Sequence, residues 1–247
     1  MNNIYVYEDS FINLLNLIDQ LFINNVKPYN IKTTNYNPDL FDNLVYLKIE
    51  NKDILTKYKK IVDKENFKII YYVYLSNDIN KELIIYYYLL NYFKYKAKVM
   101  YMRNLNCVNK ALTISNYVSR ENHKFKGFTR FRELKNNVLY AEIEPENNIL
   151  EILSMHFKNR LKNEFWIIKD KKREIISIYN KKKIFIYKCS QFDILDVNDS
   201  DNEEQIEKLW KLFYKTIGIE ARRNDQCRRN FMPKKYWKNI LEVSDEI

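Results

Sequence analysis

Between Glu220 and Trp237 the chain reads EARRNDQCRRNFMPKKYW, with six cations, two acids and four large apolar side chains. Arg222 and Arg223 precede Arg228 and Arg229 by six residues, and Lys234 and Lys235 follow Pro233. A guanidinium presents a flat fork of donors that suits phosphate or carboxylate, so clustered arginines point to an anionic ligand. The two pairs do not form one stripe on a helix, whereas a path containing a turn gathers them. Met232 is pushed out of helical geometry by the proline after it. Pro233 suits the first turn of a short helix carrying Lys234, Lys235, Tyr236 and Trp237. Either those aromatics anchor the segment to a core and aim the cations outward, or they stack on a ligand. A basic surface for a partner protein and a simply solvated face are the other readings.

A second basic segment is RENHKFKGFTRFRELK, Arg120–Lys135. Read as a strand, it puts Lys124, Lys126, Phe128, Arg130 and Arg132 on one face. Cations around an aromatic combine phosphate tracking with base stacking, as in single-strand binders; the bland reading is an exposed strand with solubilising charge. Gly127 suggests a bulge or a close backbone approach, since glycine occurs only twice in the chain. His123 and His156 are the two histidines. His156 lies four residues before Arg160, hence on the same helix face. Either histidine could serve as acid or base beside a phosphate, or be a hydrogen-bonded structural residue. In IIKDKKREI, Asp170 suits a strand-to-strand turn, with Lys171, Lys172 and Arg173 facing solvent or a phosphate.

Several chemistries are excluded. Two glycines cannot build Walker-type or Rossmann-type phosphate loops. Cys107, Cys189 and Cys227 are widely separated, which gives no disulfide framework and no zinc or iron–sulfur centre in this chain. No carboxylate pair or Ser-His-Asp set identifies a nucleophile. The net charge of +10 favours an anionic partner. Its lysine part is discounted, because the Asn-, Lys-, Ile- and Tyr-rich composition looks like genomic drift. The ten arginines speak more clearly: Arg103 is the first, so the opening hundred residues hold none. The longest apolar run, Leu83–Phe93, is far short of the ~20 residues that span a bilayer, and MNNIYVYEDS has no signal-peptide pattern. A cytoplasmic protein without membrane contact is the expectation.

These side chains must be positioned by a fold of the α+β class. IYVYED reads as a strand, Asp9 or Ser10 caps the helix that follows, and Pro28 and Pro38 punctuate a polar loop. LVYLKIE at 44–50 reads as a second strand, followed by helices from about Asp53 to Tyr95 whose many tyrosines are core and rim aromatics. A helix over Asn106–Asn122 leads to a hairpin-like pair, FKGFTRFREL and VLYAEIEP, turning at Asn136-Asn137, since asparagine tolerates left-handed backbone. NNILEILSMHFKNRL reads as a helix capped by Asn147 or Asn148. FWIIKD, EIISIY and KIFIYK read as three strands of a meander. An acidic stretch, DVNDSDNEEQ, then leads into the helix IEKLWKLFYKTIGI. The expected organisation is a mostly helical part with a few strands over 1–119, as scaffold and docking region. Residues 120–247 then form a basic part with an antiparallel sheet and flanking helices, hinged near residue 120.

The motifs ENHKFKGFTRF, LYAEIEPENNILEILSMHFKNR, WIIKDKKR, LWKLFYKTIGIEARRN and FMPKKYW, in that order, resemble a bacterial family described as DNA metabolism proteins, of unknown molecular activity. The layout from IYVYEDSFINLL through VYLSNDI is also similar, so the resemblance extends over essentially the whole chain. Departures are mild: relatives often carry methionine where Phe125 stands and a longer charged stretch around Gln226–Asn230. The resemblance implies association with a DNA-modification or repair protein of the radical-SAM class, and with a uracil-DNA-glycosylase-like partner. S-adenosylmethionine and an iron–sulfur cluster would then belong to the partner. The expected function is a DNA-binding accessory protein. Its phosphate and base contacts would come from Lys124, Lys126, Phe128, Arg130, Arg132, Arg160, Arg173, Arg222, Arg223, Arg228, Arg229, Lys234, Lys235, Tyr236 and Trp237. The alternatives are a DNA-processing enzyme using His123 or His156, and a protein-interaction module without nucleic acid.

Overall fold

The computed structural model describes residues 2–47, 53–134, 137–189 and 224–240. The chain is α+β and divides into two compact units, Met1–Ser119 and Arg120–Ile247. The DVNDSDNEEQ stretch, the helix expected after it, Arg222 and Arg223 lie outside the described residues. Among the described residues no helix is long and apolar enough to cross a membrane.

In the first unit β1 (Asn2–Tyr7) runs parallel to β2 (Asn30–Thr33) on one side and β3 (Asp42–Tyr46) on the other. Helix α1 (Phe11–Ile23) follows β1; Ser10 accepts the Asn13 amide as its cap, and Leu14, Leu15, Ile18 and Leu21 fill the core. Strand β2 falls where a polar loop was expected. Only Ile31 of its four residues is buried, so the pairing with β1 declares it rather than any apolar pattern. Helices α2 (Ile54–Ile61), α3 (Lys64–Leu75) and α4 (Lys81–Tyr95) follow. Tyr86, Tyr88 and Tyr92 of α4 are core residues with satisfied hydroxyls: Tyr88 donates to Asn66 Oδ1 at 2.5 Å, Tyr86 to the Val26 carbonyl, and Tyr92 to the Ile61 carbonyl, whereas Tyr71, Tyr72, Tyr74 and Tyr87 are half-buried at the rim.

A 3-10 segment, Lys96–Tyr101, precedes α5 (Asn106–Phe128), which continues into the second unit. The helix runs past Asn122, so Lys124, Lys126 and Phe128 stand on a helix and not on a strand. Val118, Glu121, Asn122 and Phe125 are buried at helical spacing. The Phe125 ring packs edge-on to Tyr236 at 5.2 Å, which decides between the two periodicities. Thr129 closes the helix by donating its hydroxyl to the Phe125 carbonyl at 2.6 Å.

The strands of the second unit are β4 (Arg132–Glu133), β5 (Val138–Ile143), β6 (Phe165–Asp170), β7 (Ile175–Asn180) and β8 (Ile184–Lys188), in that order across one sheet. Asn137 adopts φ 55° before β5, the left-handed turn residue that the sequence calls for. The β6–β7–β8 meander is antiparallel as expected, but β5 and β6 pair in parallel, so the sheet is mixed. The helix between them, α6 (Leu150–Arg160), is the crossover that a parallel pair requires. Trp166 stacks on its cross-strand neighbour Tyr179 at 5.2 Å, and the buried hydroxyls of Ser154 and Ser177 bond at 2.7 Å between α6 and β7.

Neither Asn147 nor Asn148 caps α6; Asn147 answers to Glu121 instead. The Glu121 carboxylate is 3% exposed. It accepts the Glu146 amide at 2.8 Å, the Asn147 amide at 2.9 Å, the Asn147 side chain at 2.6 Å and the Tyr236 hydroxyl at 3.0 Å. Four donors thereby hold α5, the β5–α6 loop and the 3-10 segment Lys234–Asn239 together. Replacing Glu121 by Gln sets an amide N–H against those donors. Urea denaturation should show an unfolding free energy lowered by about 2–3 kcal/mol, the scale of a lost charged hydrogen bond. A loss below ~0.5 kcal/mol would mean that the carboxylate does not hold these segments.

Candidate anion-binding groove

The last turn of α5, the connector to β4 and the last turn of α6 enclose a groove of about 490 Å³. Lys126 and Gly127 come from α5, Thr129, Arg130 and Phe131 from the connector, and Arg160 and Leu161 from the end of α6. Leu139 and Phe157 complete the lining, which contains three cations and no acid. Among the described residues no carboxylate pairs with Lys126 or Arg160. Cations also belong at helix C-termini for a purely structural reason, because each end carries roughly −0.5 elementary charge. Two helix ends together carry about one negative charge, which offsets part of the charge of Lys126 and Arg160.

The other expected contacts are distributed elsewhere. Arg173, at the β6–β7 turn, donates to Asp170 at 2.9 Å, to the Pro145 carbonyl at 3.1 Å and to the Glu146 carbonyl. Asp170 is fully buried, and its Oδ1 accepts the Lys172 and Arg173 amides. This pair braces the same loop that Glu121 holds, so Arg173 is architectural and does not face solvent freely. Arg132 lies over the Tyr140 ring at 5.2 Å. In α7 (Asp225–Phe231), Arg228 pairs with Asp225 at 3.4 Å and lies over Trp237 at 4.8 Å, while Arg229 donates to the Asp225 carbonyl. Lys234 also lies over Trp237, and Lys235 pairs with Glu146 at 2.7 Å. Tyr236 and Trp237 are each 3% exposed, and both serve as anchors and offer no stacking surface. Phe128 is half-buried against Phe125 and Tyr236. Of the four arginines in the later basic segment, Arg228 and Arg229 lie within the described residues. Arg130 meets Arg160 and Lys126, and neither Arg228 nor Arg229 lines the groove.

Residues 79–242 match a family model described as Domain of unknown function (DUF4130). The chain belongs to the DUF4130 family. No curated protein matches the sequence. All nine groove-lining residues fall within the DUF4130 match, whereas β1–β3 and α1–α3 precede it.

Beside the groove of this DUF4130 member stands His156, one turn before Arg160 on α6. Its ring meets Phe157 edge-on at 5.1 Å, and Nε2 is buried with no hydrogen-bond partner among the described residues. Burial, then the fields of Lys126 and Arg160, push its pKa below the ordinary imidazole value of 6.5. His123 is exposed on α5. Among the described residues no group of three or more His, Cys, Asp or Glu could hold a metal ion. Phe131 and Leu139 were not foreseen as groove walls, because their place follows from where α5 ends and not from any local motif.

A base with a depressed folded pKa binds fewer protons folded than unfolded. His156 therefore withdraws stability as pH falls through 6.5 toward its own lower value, and withdraws none above that range. In an NMR titration its midpoint should lie below 6.5 and rise in both Lys126→Met and Arg160→Met. A midpoint at or above 6.5, or one that neither replacement moves, contradicts this electrostatic picture.

Proposed function

We propose that this protein is a DNA-binding accessory subunit in DNA repair or modification, working with a radical-SAM protein. One observation supports the DNA contact above the rest: Lys126, Arg130 and Arg160, from three separate segments, line one groove that has no acid in its lining. Such a site neutralises phosphate without discriminating sequence, which suits a subunit that holds DNA while another protein does chemistry. The partner is argued from the resemblance of the basic motifs alone. S-adenosylmethionine and the iron–sulfur cluster would be that partner's, and a uracil-DNA-glycosylase-like protein is a further candidate associate.

A second reading, a DNA-processing enzyme, is favoured by His156. An uncharged imidazole next to Lys126 and Arg160 is placed to exchange a proton near a bound phosphate. His156→Ala separates the two readings. As an accessory subunit the protein keeps both its DNA affinity and the activity of the reconstituted pair, whereas as an enzyme it loses turnover alone.

Fluorescence anisotropy with a labelled oligonucleotide tests the preferred reading. Affinity should fall steeply between about 50 and 200 mM salt, and Arg160→Ala should make the log–log slope shallower by ~0.7–0.9. Lys182→Ala, in the exposed β7–β8 turn, should leave the slope unchanged. Absence of binding at about 50 mM salt, or affinity indifferent to salt, removes the proposal.

A further inference from the structure

We infer that the groove takes one unstacked nucleotide of a single strand, with its base against an apolar wall and its phosphate among Lys126, Arg130 and Arg160. The inference deepens the DNA-binding reading above and rests on it. Its first support is the shape of the charge. The three cations line a single pocket, so one phosphate and its neighbour can engage all of them. A volume of about 490 Å³ is in the range that holds a small organic ligand such as a nucleotide.

The second support is the wall. Phe131, Leu139 and Leu161 are half-buried and line the groove beside the cations. The Phe131 ring is held edge-on by Phe157 at 4.9 Å and by Trp166 at 6.4 Å. It is therefore a preset surface, and it offers what Tyr236 and Trp237, buried elsewhere, do not. A phosphate alone has no use for such a wall, whereas a base does. Bases in a duplex keep their faces stacked on one another, so only an unpaired nucleotide can present one.

The third support is Gly127. It stands in the last turn of α5, exposed, and a Cβ built there meets nothing within 4 Å. The bulge or tight approach expected from sequence is absent. The glycine instead leaves an opening over the groove, which a larger side chain can fill without disturbing the fold.

That property supplies the test. Binding of the full chain to a ~12-residue oligothymidylate, to a duplex of equal length and to thymidine 5′-monophosphate is compared for the unaltered protein, Gly127→Ala and Gly127→Leu. Single strand should bind roughly tenfold tighter than duplex, the scale of one base-stacking contact. Gly127→Leu should remove most of that advantage and Gly127→Ala a smaller part of it, while Lys182→Ala, in the exposed β7–β8 turn, leaves it unchanged. The mononucleotide should shift the His156 resonances at concentrations where inorganic phosphate does not. Equal affinity for single strand and duplex, both indifferent to Gly127→Leu, overturns the nucleotide site and leaves the DNA-binding reading standing. Binding of the mononucleotide without either polymer supports the site and overturns the DNA reading. Failure of all three ligands removes both.

Discussion

The basic half of the molecule depends on a buried carboxyl group that pairs with no cation among the described residues. Removing an ionised group from water costs several kcal/mol unless its lone pairs are answered. At Glu121 four donors answer them, two from the backbone of one loop, one from the Asn147 amide and one from the Tyr236 hydroxyl. Each donor alone would be as badly placed without the acceptor as the acceptor without it. The arrangement therefore joins residues 121, 146–147 and 236 in one hydrogen-bonded network. It also fixes where the last turns of α5 run, and Lys126 and Gly127 stand on those turns.

A second carboxylate completes the frame. Asp170 holds Arg173, and Arg173 reaches the carbonyls of Pro145 and Glu146, so the β5–α6 loop is gripped through its N–H groups on one side and its carbonyls on the other. Arginine thus has two roles in this chain that its position in the sequence does not distinguish. Arg173 and Arg228 are drawn to acids or aromatic rings of their own unit. Arg160 faces a groove whose lining has no acid. Counting guanidinium groups measures only the sum of these roles, and their surroundings divide it.

Much of the fold was legible. The Ser10 cap, the apolar spacing of α1, the buried tyrosines of α4, the left-handed Asn137 and the β6–β7–β8 meander are all local signals, because each depends on residues within a turn or two of one another. Three features were not. Strand β2 has one buried residue and exists through its pairing with β1. The segment from His123 to Phe128 satisfies a period of two and a helical period alike, and only the packing of Phe125 against Tyr236, more than a hundred residues on, selects the helix. The parallel pairing of β5 and β6 was hidden although its crossover helix had been read, since strand direction is not written in either strand.

The amino-acid sequence by itself determined the α+β class, the confinement of arginine to the later part of the chain and the scarcity of glycine, because these follow from residue types and short spacings. Membership of the family follows from the same one-dimensional record. Tertiary structure alone decided which cations meet. Lys126, Arg130 and Arg160 are brought together by the ends of two helices and the connector between α5 and β4, while Tyr236 and Trp237 are withdrawn into the core. The reason is physical: whether a charge is held within the fold or presented to a ligand depends on what lies within a few ångströms of it. Those neighbours come from parts of the chain that no local pattern connects.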